Sequence, residues 1–160
     1  MKRITHLGRG KILIILNKVP FFKDFTPHER EKVIDTEATF YVANANEYII
    51  EQNTLDTAFY ILLNGTARVT LDGVDKPLAD MGPGDFFGEI AFIQNASRTS
   101  NVIANDVCIL LKVDRRLLGA LQAEIREKFK DQIIFKLAGM IAIKNNQKTE
   151  RSSPENTNKK

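Results

Sequence analysis

Residues 38–113 predict a mainly β domain, either a sandwich or a jelly roll, with helices at both ends. Three observations carry this reading. Between Ala38 and Val113, short β-branched and aromatic runs alternate with turn residues at regular spacing. Ahead of them, Thr26-Pro27-His28-Glu29 has the form of a capped helix start. Behind them, Leu118, Leu121, Ile125, Phe129, Ile133, Leu137 and Met140 recur at helical spacing.

Residues 1–9 form a basic N-terminal end, expected to be solvated, and residues 10–18 suit a short helix that Pro20 interrupts. In the next helix Thr26 is the N-cap, Pro27 takes the first helical position and Glu29 completes a capping box, with an end expected near Glu37. Strands are expected at Thr39–Val42, Tyr48–Glu51, Ala58–Leu63, Ala67–Leu71, Lys76–Asp80, Asn101–Ala104 and Val107–Val113. Asp72-Gly73 signals a hairpin turn, and Gly65 a left-handed turn conformation. Asp114 is the expected N-cap of two closing helices at about 114–124 and 126–144. From Ile133 to Ile143 the second is apolar nearly all round, broken by Lys136, and so needs a cover. Residues 145–160 have no apolar side chain besides Pro154, and a disordered polar tail is expected there.

Charge and composition exclude several classes of function. The net charge of +3 is uneven: residues 1–18 hold five basic groups and no acidic one, residues 144–160 five and two, and the middle thirteen against eighteen. A nucleic-acid-binding domain concentrates its basic groups on a folded face, so these ends read as solvated tails. No recognition helix can be built from the polar residues after Lys144, and this chain alone is not expected to bind DNA. The run Ile12–Leu16 is far shorter than the ~20 residues of a membrane span, and neither a span nor a signal peptide is expected. The single cysteine, Cys108, sits in an apolar run and suits a reducing, cytoplasmic location. His6 and His28 both lie outside the strand region, which argues against a histidine-held metal of the kind some jelly-roll enzymes use.

The stretch from Gly84 to Val102 carries the chemistry. Gly88 lets backbone approach a ligand, and a helix opening after it leaves its first N–H groups without internal partners. Arg98 adds a planar guanidinium able to donate two parallel hydrogen bonds to a phosphate. Together these residues describe a phosphate cradle.

Phe87-Gly88-Glu89-Ile90-Ala91, followed by Arg98-Thr99-Ser100, resembles the phosphate-binding cassette of cyclic-nucleotide-binding domains, and the likeness extends over roughly residues 14–144. The resemblance selects the jelly roll, over about 38–113, within a binding domain spanning 10–144. It implies that Arg98 meets the cyclic phosphate, that Glu89 takes the ribose 2′-hydroxyl and that the Ile90 and Ala91 amides complete the anion site. Thr99 is then a residue on which base selectivity can turn, with cAMP slightly preferred over cGMP. One departure is Gln52-Asn53-Thr54, a turn where the family usually has glycine; asparagine tolerates the left-handed conformation that turn needs. The family's last helix closes over the base as a lid, a role that falls here on 126–144 through Phe129, Ile133, Leu137 and Met140. Packing of that helix on its own sheet or on a second copy is the alternative.

The implied function is that of a sensor, not an enzyme, with no cofactor or metal, a cyclic purine nucleotide as ligand and an unidentified protein effector. Self-association through the C-terminal helices is a further partner reading. The competing readings are an interaction module of the same fold that binds no nucleotide, and the regulatory fragment of a channel, kinase or transcription regulator.

Overall fold

The computed structural model describes residues 1–152. Among the described residues, nine strands and five α-helices occur in the order β1 (Lys2–Arg3), α1 (Arg9–Lys18), α2 (Pro27–Asp35), β2 (Thr39–Ala43), β3 (Tyr48–Ile50), β4 (Phe59–Asn64), β5 (Ala67–Thr70), β6 (Ala79–Met81), β7 (Phe86–Phe87), α3 (Glu89–Gln94), β8 (Asn101–Ala104), β9 (Cys108–Val113), α4 (Arg115–Ala120) and α5 (Ala123–Ser152). A 3₁₀ turn at Pro20–Phe22 follows α1. The strands form two antiparallel sheets, β1-β2-β9-β4-β7 and β3-β8-β5-β6, a jelly-roll-like sandwich rather than one closed ladder.

Strand β4 shows why the interior has two parts. Tyr60 and Leu62 point into the sandwich with Ile49, Val102 and Leu110, whereas Phe59, Ile61 and Leu63 point to the other face and meet the helices. Both faces are covered, so the strand reads as an unbroken apolar run. On the helical side Phe21, Phe22 and Phe25 enclose Phe129, with ring centroids 5.4–6.1 Å apart. Ile125, Phe129 and Ile133 fix the first half of α5 in this cluster. Cys108 is fully buried in the sandwich, where loss of water pushes its thiol up to about 11.

Local rules set most element ends. Thr26 Oγ1 accepts from the Glu29 N–H at 3.2 Å while Glu29 Oε1 accepts from the Thr26 N–H at 2.9 Å. The same Glu29 carboxylate also takes Lys128, fastening α5 to α2. Gly65, at φ +86, could not carry a Cβ, which would lie 2.4 Å from the Val107 carbonyl oxygen. Asn53 takes φ +68 in the turn that lacks glycine.

Four expectations change. Lys2 and Arg3 pair with Val42 and Tyr41, and the Met1 ammonium lies 3.3 Å from Glu47, so part of the basic end is a sheet edge. Phe86-Phe87 is a strand because β4 offers it a partner, with Tyr60 opposite Phe87. β6 begins at Ala79 rather than Lys76, since the turn after Leu71 occupies the residues between. α5 continues through residue 152, past the expected helix end at 144. Its first half is held by tertiary packing, and extending a formed helix through residues with no Gly or Pro is favourable. The rest of the expected tail, 153–160, lies outside the described residues.

Candidate functional site

A cavity of about 250 Å³ opens between the second sheet, α3 and α5. Ile50, Val69, Met81 and Val102 line its apolar part. Gly88, Glu89, Ile90 and Ala91 from the start of α3, and Arg98, Thr99 and Ser100 after it, also line it, so every site residue expected from the sequence borders one space. Glu89 and Arg98 are buried, Ser100 is half-buried and Thr99 is exposed.

Backbone geometry brings these residues together. Gly88 caps α3 at φ +87, and a Cβ there would lie 2.6 Å from Arg98 Nη1 and 2.9 Å from Ile50 Cδ1. Asn95, also left-handed, ends α3 and turns the chain back toward the cavity. The Arg98 backbone is held on both sides by the β3–β4 turn: its N–H donates to the Thr54 carbonyl at 2.8 Å, and its carbonyl accepts from the Asn53 N–H at 2.9 Å. Gly88→Ala is therefore expected to strain the backbone and displace the guanidinium. The forced left-handed alanine costs ~1–3 kcal/mol, and a thermal-unfolding scan should show a lowered midpoint.

The Arg98 side chain is fixed by its surroundings. Nη1 donates to the Gly88 carbonyl at 3.0 Å, and Nη2 donates to the Ala58 carbonyl and lies 3.3 Å from Asp56 Oδ2. Its Nε–H is buried with no hydrogen-bond partner. Arg98 borders the cavity, and a buried guanidinium donor without a partner favours an acceptor brought close to it. Burial works against the Asp56 charge, yet the Ala58 N–H and the Arg98 guanidinium hold its carboxyl below the usual range. The Tyr60 hydroxyl donates to Asp56 at 3.2 Å, and burial pushes that hydroxyl above its ordinary range.

Two contributors escape sequence reading. Asp56 follows a turn and matches no motif. Lys136, which there only interrupts an apolar run, lies 2.8 Å from Glu89 Oε1, donates to the Phe86 carbonyl at 2.6 Å and sits 4.5 Å from the Phe86 ring centroid. α5 thus reaches the cavity through Lys136 and Met140. The lid residues expected from the sequence divide: Phe129 and Ile133 belong to the helical core, Leu137 is partly buried against it, and Met140 faces the cavity.

Residues 42–124 match the family model described as the cyclic nucleotide-binding domain. The chain belongs to that family. It is 34% identical over 115 residues to a cAMP-dependent protein kinase regulatory subunit of Emericella nidulans, covering 69% of this chain and 28% of the relative. It is 33% identical over 142 residues to the cGMP-dependent protein kinase isozyme 2 forms cD5/T2 of Drosophila melanogaster, covering 82% and 15%. The chain thus spans less than a third of the length of either relative. Among solved structures, "Sp-2Cl-cAMPS bound to PKAR CBD2" matches with a TM-score of 0.68 and 27% identity over 87% of this chain and 90% of that one. A cyclic nucleotide-binding domain from Methylobacillus flagellatus shares the fold at a TM-score of 0.72 and 19% identity, over 96% and 92%.

Proposed function

We propose that this domain binds a cyclic purine nucleotide, with cAMP ahead of cGMP, and acts as the sensor of a regulatory assembly whose effector is another protein or another part of a longer chain. The observation that carries the proposal is the buried Arg98 guanidinium, a cation bordering the cavity beside α3 whose Nε–H has no hydrogen-bond partner. A cyclic phosphate placed there gains a charge-assisted hydrogen bond and the first amides of α3, donors that an α-helix leaves without internal partners. Glu89 takes the ribose 2′-hydroxyl. Its carboxylate already holds Lys136, but two oxygens offer about four acceptor sites, enough for both. Thr99, which is exposed and borders the cavity, is the residue that meets the purine edge and sets selectivity in this reading.

The role proposed is binding rather than turnover, in line with relatives that are kinase regulatory subunits. No helix among the described residues is long and apolar enough to cross a membrane. The domain is proposed to comprise residues 10–144, with α5 from Lys136 onward as the moving part.

Calorimetric titration with cAMP and cGMP tests the proposal, and absence of heat and of any thermal stabilisation with both would overturn it. In the same assay 2′-deoxy-cAMP should bind at least about tenfold more weakly, the loss of one charge-assisted hydrogen bond. Glu89→Gln should narrow that gap. Equal affinity of the parent protein for cAMP and its 2′-deoxy analogue would remove Glu89 from the ribose.

A further inference from the structure

Among the described residues, the buried charged and amide side chains are Glu89, Arg98 and Asn101. The first two belong to the site, whereas Asn101, 3% exposed at the start of β8, has no part in it so far. Its Oδ1 accepts from the Gln52 N–H at 2.7 Å, and its Nδ2 donates to Asp72 Oδ1 at 2.8 Å. The Asp72 N–H in turn donates to Gln52 Oε1 at 2.8 Å, which closes a ring of three hydrogen bonds. A backbone N–H needs an acceptor and a carboxylate needs a donor, and one amide side chain offers both. Aspartate at this position would face Asp72 with a second carboxylate, and an apolar residue would take the acceptor away from the Gln52 N–H.

The ring joins two parts of the chain that meet at the cavity. Gln52 opens the segment between β3 and β4 that grips Arg98: Asn53 and Thr54 hold the arginine backbone, while Asp56 and the Ala58 carbonyl hold its guanidinium. Residues 51–58 lie outside the strands, so ties of this kind fix where the segment sits. Asp72 lies in the turn from β5 to β6, strands that border the cavity through Val69, Ala79 and Met81. We infer that Asn101 positions the Arg98 guanidinium, by fastening the segment that grips it to the β5–β6 hairpin. Asn101 does not itself border the cavity, so its effect on a ligand passes through Arg98. For nucleotide affinity the inference rests on the reading that Arg98 holds the phosphate.

Asn101→Asp keeps the size of the side chain, removes the donor and sets a carboxylate against Asp72. Asn101→Asp/Asp72→Asn restores the ring, with donor and acceptor exchanged across that one bond. In the ligand-free full chain, amide exchange at Asn53 and Arg98 should rise at least about tenfold in the single variant and recover in the swap, because each N–H bonds between the two segments. Affinity for cAMP, titrated well below the unfolding midpoint of each protein, should fall at least about tenfold and recover likewise. In an Arg98→Ala background Asn101→Asp should add less than about twofold, a coupling that a residue merely supporting the fold would not show. Parental exchange at Asn53 and Arg98 in folded Asn101→Asp overturns the inference, as does a swap without recovery or an equal loss of affinity with and without Arg98. If Asn101→Asp does not fold, Asp72→Ala at the exposed turn is measured instead, and parental exchange there overturns it too. A parent that binds no nucleotide, with exchange that rises and recovers as expected, would remove the proposed function and leave Asn101 positioning Arg98.

Discussion

Arg98→Ala is expected to weaken nucleotide binding by at least about thirtyfold, because it leaves a desolvated phosphate without its cation, a loss of ~2–5 kcal/mol. The same substitution leaves the Gly88 and Ala58 carbonyls and Asp56 without a guanidinium, so some loss of folding stability should accompany it. Arg98→Lys separates the two effects. It keeps the charge but cannot bridge Gly88, Ala58 and Asp56 with a planar fork, so it should bind more weakly than the parent and more tightly than alanine. Titration is to be paired with thermal unfolding of each variant, so that unfolded protein is not mistaken for weak binding. If folded Arg98→Ala binds cAMP or cGMP as tightly as the parent, the phosphate site lies elsewhere.

Local interactions were legible in the residues alone, and distant ones were not. Thr26 and Glu29 cap α2 through contacts three residues apart, and Asp72-Gly73 makes its own turn, so spacing reveals both. Gly88, Glu89 and Arg98 belong to one short segment whose left-handed residues, Gly88 and Asn95, determine its path. Strand β7 was missed because two phenylalanines carry no period; only pairing with β4 defines them. Asp56 and Lys136 were missed for a related reason. Each meets its partner from a distant part of the chain, Asp56 beside Arg98 and Lys136 beside Glu89. Neither charge has a local pattern that separates it from a solvated surface group. The extent of α5 was misjudged because polar composition does not end a helix whose other half is anchored by Phe129.

That anchoring determines how the proposed lid must be tested. A chain cut after Glu124 loses Ile125, Phe129 and Ile133, all at most 5% exposed. Removing even one such side chain costs ~2–5 kcal/mol, so that truncation should fail to fold and would report nothing about ligand. A chain ending at Phe135 keeps the three core residues and loses Lys136, Leu137 and Met140, which carry the contact with Glu89 and the cavity. It should remain folded and bind nucleotide at least about tenfold more weakly, since a ligand favours the closed helix only as far as it binds that state better. Lys136→Ala in the full chain isolates the ionic part. Glu89 is then a buried carboxylate without its cation, at a cost of ~1–2 kcal/mol given the partial exposure of Lys136. Amide exchange from residue 136 onward should rise in this variant and fall again when nucleotide is added. Parental affinity in both proteins, with α5 exchange that nucleotide leaves unchanged, would mean that the distal helix does not respond to ligand.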